Sequence, residues 1–310
     1  RPGTIVVLES TTYPGTTDDV VRPVLEAGSG LTAGVDFHLA FSPERIDPGN
    51  AVYGIRNTPK VVGGHTEACT DRAVELYERI VDTVVPTVGT REAEMAKLLE
   101  NTYRHVNIAL MNEMSVFCHD LGIDLWAAIE AAKTKPFGFQ AFYPGPGVGG
   151  HCIPIDPNYL GYAVRSLGYQ FRFVELAQEI TGRRPSYVGH RAQLALNEAE
   201  KPVKGSTVLL LGVTYKANIS DDRETPARPV AANLRALGAN VTYYDPNVDH
   251  FDVDGIELPA VDDLEVAIIE SDLAIVITAH DEIVESPAID KAERVLDTRG
   301  VFEGVNIDRL

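Results

Sequence analysis

Residues 92–121, EAEMAKLLENTYRHVNIALMNEMSVFCHDL, decide how the rest of the chain is read. Met95, Leu98, Leu99, Tyr103, Val106, Ala109, Leu110 and Met114 recur at spacings of three and four, the period of one continuous helix. About 30 helical residues run about 45 Å. That exceeds one small domain, so the segment is predicted to connect two domains and to provide a dimer interface.

On its N-terminal side, strand-like runs at 4–8, 60–64 and 83–88 are separated by helix-like runs at 17–27 and 67–81, the pattern of a mostly parallel α/β sheet. On its C-terminal side, helices are expected at 125–132, 159–167, 174–181 and 185–199. From Lys204-Gly205 a second α/β unit begins, with strands at 207–211, 240–244, 273–278 and 294–297 and a helix at 227–237. The predicted fold is α/β: two Rossmann-like parallel-sheet lobes joined by a long central helix, with the N-terminal lobe incomplete. The predicted domains are 1–90, 91–200 and 201–310, with linkers at 86–89 and 200–205.

Composition narrows the function. A chain of 310 residues, 45% hydrophobic, suits two folded domains. It contains no apolar run of about 18 residues that would span a membrane. A net charge of −18 argues against nucleic acid as a partner. Arg1-Pro2-Gly3 leads straight into a strand, without an initiating Met and without a signal-peptide pattern, so a chain cut from inside a fold is expected. Cys69, Cys118 and Cys152 are widely spaced and form no CxxC pair, which fits reduced cysteines in the cytoplasm. His151 and His190 have no ligand partners at metal-binding spacing, so no metal site is expected.

The chemistry concentrates in YPGPGVGGHCIPIDP, residues 143–157. Gly145, Gly147 and Gly150 match G-x-G-x-x-G, but two prolines, Pro144 just before the motif and Pro146 within it, break its usual form and no strand-like run immediately precedes it. The dinucleotide reading is therefore rejected. These glycines instead allow backbone to approach a ligand closely. Asp156-Pro157 has the form of a helix N-cap followed by proline, which puts Cys152 just ahead of a helix N-terminus that favours thiolate. Two readings of Cys152 stand at this point, a buried cysteine beside a tight turn and a nucleophile. Lys97 and Asn101, four apart, share a helix face on the side of Met95, Leu98 and Tyr103, where a lysine is unusual without a charged partner or a chemical task. Ser10-Thr11 and Lys216 each follow a strand, where parallel sheets bind ligands.

Taken in order, ESTTYPGTT (9–17), FSPERIDPGN (41–50), EMAKLLENTYRHVNIALMNEM (94–114), the long cysteine segment (134–160), GVTYKANISDDRETPA (212–227) and LDTRG (296–300) resemble the UDP-glucose/GDP-mannose dehydrogenase family over essentially the whole chain. The wording around Cys152 is most similar to the branch acting on UDP-N-acetylhexosamines. The resemblance implies an NAD-binding domain, a helical region that makes a homodimer and a UDP-binding domain. It also implies an enzyme that oxidises the sugar C6 hydroxymethyl to a carboxylate by two hydride transfers, through a thiohemiacetal and a thioester on Cys152. It assigns Lys97 and Asn101 to oxygens at the reacting centre and Asp156 to a carboxylate paired with Lys97. Thr11, with Ser10, falls beside the nicotinamide, and Glu44 supports water. Tyr215, Lys216 and Arg299 contact substrate, as does the loop of Tyr143, Gly145, Gly147 and Gly149. Arg223 reaches the NAD pyrophosphate.

Two departures matter. The UDP-glucose branch carries a second glutamate four positions after the first, where this chain has Pro48. That favours the acetamido-sugar branch. The family's G-x-G-x-x-G near the N-terminus is absent, so this chain alone is expected to bind UDP-sugar and to show little NAD-dependent turnover. The alternatives are a non-catalytic UDP-sugar-binding dimer, a UDP-glucose 6-dehydrogenase, and a hydroxy-acid dehydrogenase, which would leave Cys152 without a task.

Overall fold

The computed structural model describes residues 1–47, 50, 52–150, 156, 159–162, 164–165 and 167–310. Cys152, Pro48 and Pro157 lie outside the described residues, as do parts of the helix expected at 159–167. The chain forms two compact units, Arg1–Arg104 with Ile155–Val174, and His105–Pro154 with Glu175–Leu310.

The first unit is built on a four-stranded sheet in the order β1 (Ile5–Leu8), β2 (His38–Phe41), β3 (Lys60–Gly64), β4 (Val84–Pro86). A turn of π-helix at Thr17–Val21 leads into α1 (Arg22–Ser29), and α2 (Glu67–Tyr77) starts where the Thr66 hydroxyl accepts from the Cys69 N–H. Strand β2 was not anticipated. Its run HLAF is short and holds no β-branched residue, yet Leu39, Ala40 and Phe41 are essentially inaccessible and sit between β1 and β3. The expected parallel order also needs correcting at one ladder: β2 and β3 are antiparallel, while β1–β2 and β3–β4 are parallel. A parallel pairing needs a crossover, usually a helix. The described residues between β2 and β3 contain none, so the chain simply returns.

Helix α3 covers Thr90–Asp120, 31 residues, close to the predicted 92–121. Its first turn is tied to the segment after β1. Glu94, fully buried, accepts from Gly15 N–H (2.5 Å), Thr17 N–H (2.9 Å) and the Thr17 hydroxyl (2.7 Å). Burial pushes the Glu94 carboxyl above its usual 4.5, against the pull of these three donors. Glu94→Gln loses acceptor capacity against buried donors and should cost about 2–3 kcal/mol in denaturant unfolding. A raised carboxyl contributes stability that is fully present below its unfolded value and is lost as pH rises through its folded value. The difference between wild type and Glu94→Gln should therefore narrow as pH rises above 4.5. A constant or widening difference would contradict this.

The second unit carries a five-stranded, wholly parallel sheet in the order β11-β10-β9-β5-β6. These strands are β5 (Thr207–Leu211), β6 (Asn240–Tyr244), β9 (Leu273–Val276), β10 (Val295–Asp297) and β11 (Ile307–Arg309); β7 (Asp252–Val253) and β8 (Ile256–Glu257) form a small separate hairpin. TVLLL and LAIV are apolar without alternation because both faces of the sheet are covered. Val208 and Leu210 pack with Val188, Leu196, Val230 and Leu234 on one face. Leu209, Leu211, Ala274 and Val276 pack with Ile268 and Ile283 on the other. Strand β5 is followed by β6 on one side and, after it, by β9 on the other. The order therefore reverses between β5 and β9, where doubly wound sheets open a ligand crevice.

Helix α4 spans Leu125–Lys133, capped by Asp124. The two helices expected at 174–181 and 185–199 are one helix, α5 (Arg172–Glu198), with Pro185 inside it. Proline removes one backbone hydrogen bond. Here buried residues on both sides, Ala177 before it and Val188, Ala192 and Leu196 after it, hold the helix together. Helix α6 (Ala227–Ala236) follows β5.

Candidate active site

In the first unit, α3 presents Lys97 and Asn101 one turn apart, both half-buried. The Asn101 amide donates to Asp156 Oδ2 at 2.5 Å. Asp156 is only 4% exposed, and burial pushes its carboxyl up, while the Asn101 hydrogen bond and the Lys97 charge pull it back. The capping role read for Asp156 depends on Pro157, outside the described residues; the described carboxylate faces Asn101. Of the apolar neighbours expected beside Lys97, only Leu98 is buried, and Met95 and Tyr103 are exposed.

Ser10 and Thr11 follow the C-terminal end of β1, and Glu44 follows the C-terminal end of its parallel neighbour β2, so all three lie along one edge of the sheet. Two tethers hold this edge to α3. Glu94 grips Gly15 and Thr17, as described above, and Arg45 makes a two-point pair with Glu100 (2.7 and 3.3 Å). Glu44 accepts from the N–H groups of Arg45 and Ile46, each at 2.7 Å. Because β3 runs antiparallel to β2, its first residue, Lys60, arrives at the same edge. The Lys60 ammonium lies 3.1 Å from Glu9, 3.9 Å from Glu44 and 5.3 Å from the centre of the Tyr77 ring. Burial would raise the Glu9 carboxyl, but the Tyr77 hydroxyl and Lys60 outweigh it and hold it down. Lys60 and Glu9 were not among the expected site residues. The available signal was a lysine at the head of an apolar strand.

In the second unit, the glycine-rich segment is fixed from below. Asn112, fully buried on α3, accepts from Gly145 N–H at 2.9 Å. Arg184, 2% exposed, donates to the carbonyls of Gly145 and Asn112 and to the Ser115 hydroxyl, each at 2.9 Å. Tyr143 stacks on Trp126 with ring centres 5.5 Å apart and donates to Glu130. The segment lies against the loop after β5. A Cβ on Gly149 would come within 2.7 Å of both Tyr215 Cβ and the Glu224 carbonyl, and Gly147 packs on Pro226. Only glycine permits that approach. Arg299, after β10, donates to the Ile277 carbonyl at 2.6 Å, and burial pushes its guanidinium down to about 10, still charged at neutral pH.

Tyr143, Arg299, Trp126 and Glu130 line a cavity of about 880 Å³, a size that suits a nucleotide-like ligand. Gly147, His105 and Arg223 line another of about 780 Å³. Arg223 is largely exposed and held by a two-point pair to Asp221 (2.9 and 2.6 Å). Lys216 sits just past β5, its carbonyl accepting from the Thr214 hydroxyl. The first unit thus gathers Lys97, Asn101 and Asp156, with Ser10, Thr11 and Glu44 at its sheet edge. The second gathers Tyr143, Gly145, Gly147, Gly149, Tyr215 and Arg299. Nothing local in the sequence points to Asn112 and Arg184, because their role is set by Gly145, 33 and 39 residues away from them. Among the described residues no group of three His, Cys, Asp or Glu is arranged to hold a metal ion, and no helix is long and apolar enough to cross a membrane.

Residues 1–81 match the NAD binding domain of the UDP-glucose/GDP-mannose dehydrogenase family, residues 91–182 its central domain and residues 209–307 its UDP binding domain. A UDP-N-acetyl-D-mannosamine dehydrogenase of Methanococcus maripaludis is 33% identical over 310 residues, covering 99% of this chain and 67% of that protein. A UDP-N-acetyl-D-glucosamine 6-dehydrogenase of Salmonella typhi is 37% identical over 248 residues, 80% of this chain and 58% of that protein. The chain therefore spans 58% to 67% of the length of these relatives. The solved structure of a UDP-D-ManNAc dehydrogenase from Pyrococcus horikoshii superposes with a TM-score of 0.88 at 32% identity, covering 99% of this chain and 72% of that one. With its three domains matched in order and a relative of this similarity along nearly its full length, the chain belongs to the UDP-glucose/GDP-mannose dehydrogenase family.

Proposed function

We propose that the protein carries out the NAD-dependent four-electron oxidation of the C6 hydroxymethyl of a UDP-sugar, a UDP-N-acetylhexosamine, to the uronic acid. The carrying observation is the buried Asp156 held by Asn101 beside Lys97, four residues after Cys152 in the chain. A sugar-binding protein has no need of this cluster. NAD, when bound, accepts one hydride at each oxidation. The NAD binding domain match and the position of Ser10, Thr11 and Glu44 at the C-terminal sheet edge support that cofactor.

Lys97 and Asn101 stabilise the negative oxygen that develops as C6 is oxidised. The Cys152 thiolate adds to the aldehyde carbon and forms a C–S bond, and the resulting thiohemiacetal loses a second hydride to become a thioester. Water, oriented by Asp156 and supported by Glu44, cleaves that C–S bond, releasing the carboxylate and returning the thiolate. Tyr143, Gly145, Gly147 and Gly149 wrap the sugar and diphosphate, Tyr215, Lys216 and Arg299 bind substrate, and Arg223 meets the NAD pyrophosphate. Full-length protein given UDP-GlcNAc, UDP-ManNAc and UDP-glucose in parallel should form two NADH per molecule of its true substrate. No NADH with any of them would leave the binding-protein reading.

Lys97→Ala should lower kcat by about 10²–10³, the usual loss when one transition-state donor is removed. Asp156 must be ionised to act. Because burial has raised its pKa, activity should be present above, and lost as pH falls through, a value higher than the ordinary 3.8. Asp156→Asn should abolish that acid limb, and a limb that survives would exclude the assignment.

A homodimer through α3 is supported by an apolar stripe on that helix. Leu99, Tyr103, Leu110 and Phe117, at spacings of four and seven, are exposed by 62%, 48%, 46% and 46%. Light scattering of the protein in solution should return twice the chain mass, and a monomer mass would exclude it. A thiolate nucleophile requires a reducing compartment, which supports the cytoplasm.

A further inference from the structure

The side chains of His280 and Asp245 are fully buried past the C-terminal ends of β9 and β6, and nothing in the reaction described above uses them. His280 follows β9, and Asp245 follows β6. Their polar atoms converge on the loop after β5, the loop that carries Tyr215 and Lys216. Asp245 Oδ2 accepts from the N–H groups of Val213 (2.6 Å) and Thr214 (3.2 Å), and from His280 Nε2 (3.0 Å). His280 Nε2 also lies 3.1 Å from the Thr214 hydroxyl oxygen. On the opposite side of the ring, Nδ1 accepts from the Asn218 N–H at 3.0 Å.

A backbone N–H can only donate, so Nδ1 carries a lone pair and the ring proton sits on Nε2, pointing at Asp245 and Thr214. The imidazole thereby grips one short loop at both ends, at Thr214 and at Asn218. Asn218 stands at φ +62°, a left-handed conformation rare for a non-glycine residue, so its N–H needs a partner that keeps it there. The loop is also pressed against the β9 side. Gly212 has φ +77°, and a Cβ there would lie 2.2 Å from the Thr278 carbonyl; the Thr278 hydroxyl donates to the Thr214 carbonyl at 2.5 Å.

We infer that His280, oriented by Asp245, is a positioning residue for the nucleotide-sugar site: it holds residues 213–218 in the conformation that presents Tyr215 and Lys216 to the ligand, without touching the ligand itself. This rests on the reading above that Tyr215 and Lys216 contact the UDP-sugar. Asparagine can place Oδ1 where Nδ1 stands and keep the Asn218 N–H satisfied, whereas alanine cannot.

The test uses the chain with its native residue, with His280→Ala and with His280→Asn. Amide exchange of the 212–219 segment and UDP affinity by calorimetry are measured side by side. His280→Ala should speed exchange across 213–218 and weaken UDP binding by about ten-fold, the effect of losing about 1.4 kcal/mol of fixed loop geometry. His280→Asn should recover affinity to within about three-fold of wild type, since it retains the Nδ1-side hydrogen bond. If wild type binds UDP and His280→Ala binds it equally well, the positioning role is wrong. The same holds if alanine and asparagine weaken binding equally. Should alanine fail to fold, the asparagine variant alone decides, because a ten-fold loss there with Asn218 still protected from exchange overturns the role. If wild type itself binds no UDP, the functional reading fails instead.

Discussion

Cys152→Ala in the full-length enzyme should reduce uronate formation by about 10³-fold or more, the scale seen when a catalytic nucleophile is deleted from a preassembled site. A CH2OH group reaches the carboxylate level only if its aldehyde is converted into something that can lose a second hydride. A thiolate does this by adding to the aldehyde carbon, and the thioester it leaves is readily hydrolysed. Alanine offers no such addition, and aldehyde hydrate formed by adventitious water would be the only remaining route. Sugar binding should persist, because Tyr143, Tyr215 and Arg299 bind through their own side chains and do not depend on the thiol. The measurement is NADH and uronate formed per enzyme with the true substrate, alongside UDP affinity. A fall of less than about ten-fold would mean the chemistry does not pass through the thiol.

Arg184→Ala should destabilise the second unit by about 3–5 kcal/mol, the combined cost of leaving buried polar groups unsatisfied and of the cavity left by a large buried side chain. It is a guanidinium 2% exposed, with no carboxylate at ion-pair distance among the described residues, and burial holds its pKa down to about 10. It is kept in place by two carbonyls, a hydroxyl and the face of Tyr187, 4.8 Å away. Truncation leaves the Gly145 carbonyl and the Ser115 hydroxyl without this donor and opens a void between α3 and α5. At roughly 2–4 °C per kcal/mol for a unit of this size, Tm should drop by about 10 °C. Because Gly145 begins the glycine-rich segment, UDP binding should weaken as well. Arg184→Lys should rescue little, since one ammonium cannot reproduce a forked set of donors. A shift of only a degree or two would show that the buried guanidinium contributes specificity rather than stability.

Much of the architecture was legible because its cause is local. The three- and four-residue spacing along 92–121 yields α3 within two residues at its start and one at its end. Unbroken apolar runs such as TVLLL mark strands covered on both faces. Where two local signals conflicted, the pattern misled. Pro185 reads as a boundary, yet Ala177, Val188, Ala192 and Leu196 bury enough surface on either side for one helix to run through it. HLAF carries too little β-propensity to be read as a strand, and becomes one because β1 and β3 flank it.

The candidate site divides in the same way. The residues proposed to carry chemistry, Cys152, Lys97, Asn101 and Asp156, were singled out by the order of the family-like motifs, and spacing alone put only Lys97 and Asn101 on one helix face. Their supporting contacts were not so marked. Asn101 meets Asp156 across 55 residues, Arg184 meets Gly145 across 39, and His280 reaches Asn218 across 62. No periodicity encodes such pairs. A buried polar side chain takes whichever partner the packed chain delivers, because leaving it unsatisfied costs more than the hydrogen bond gains. Chain chemistry and helix and strand periods therefore belong to the amino-acid order, while the direction of β3, the continuity of α5 and the buried donors that aim the loops arise only once distant segments exclude water from one another.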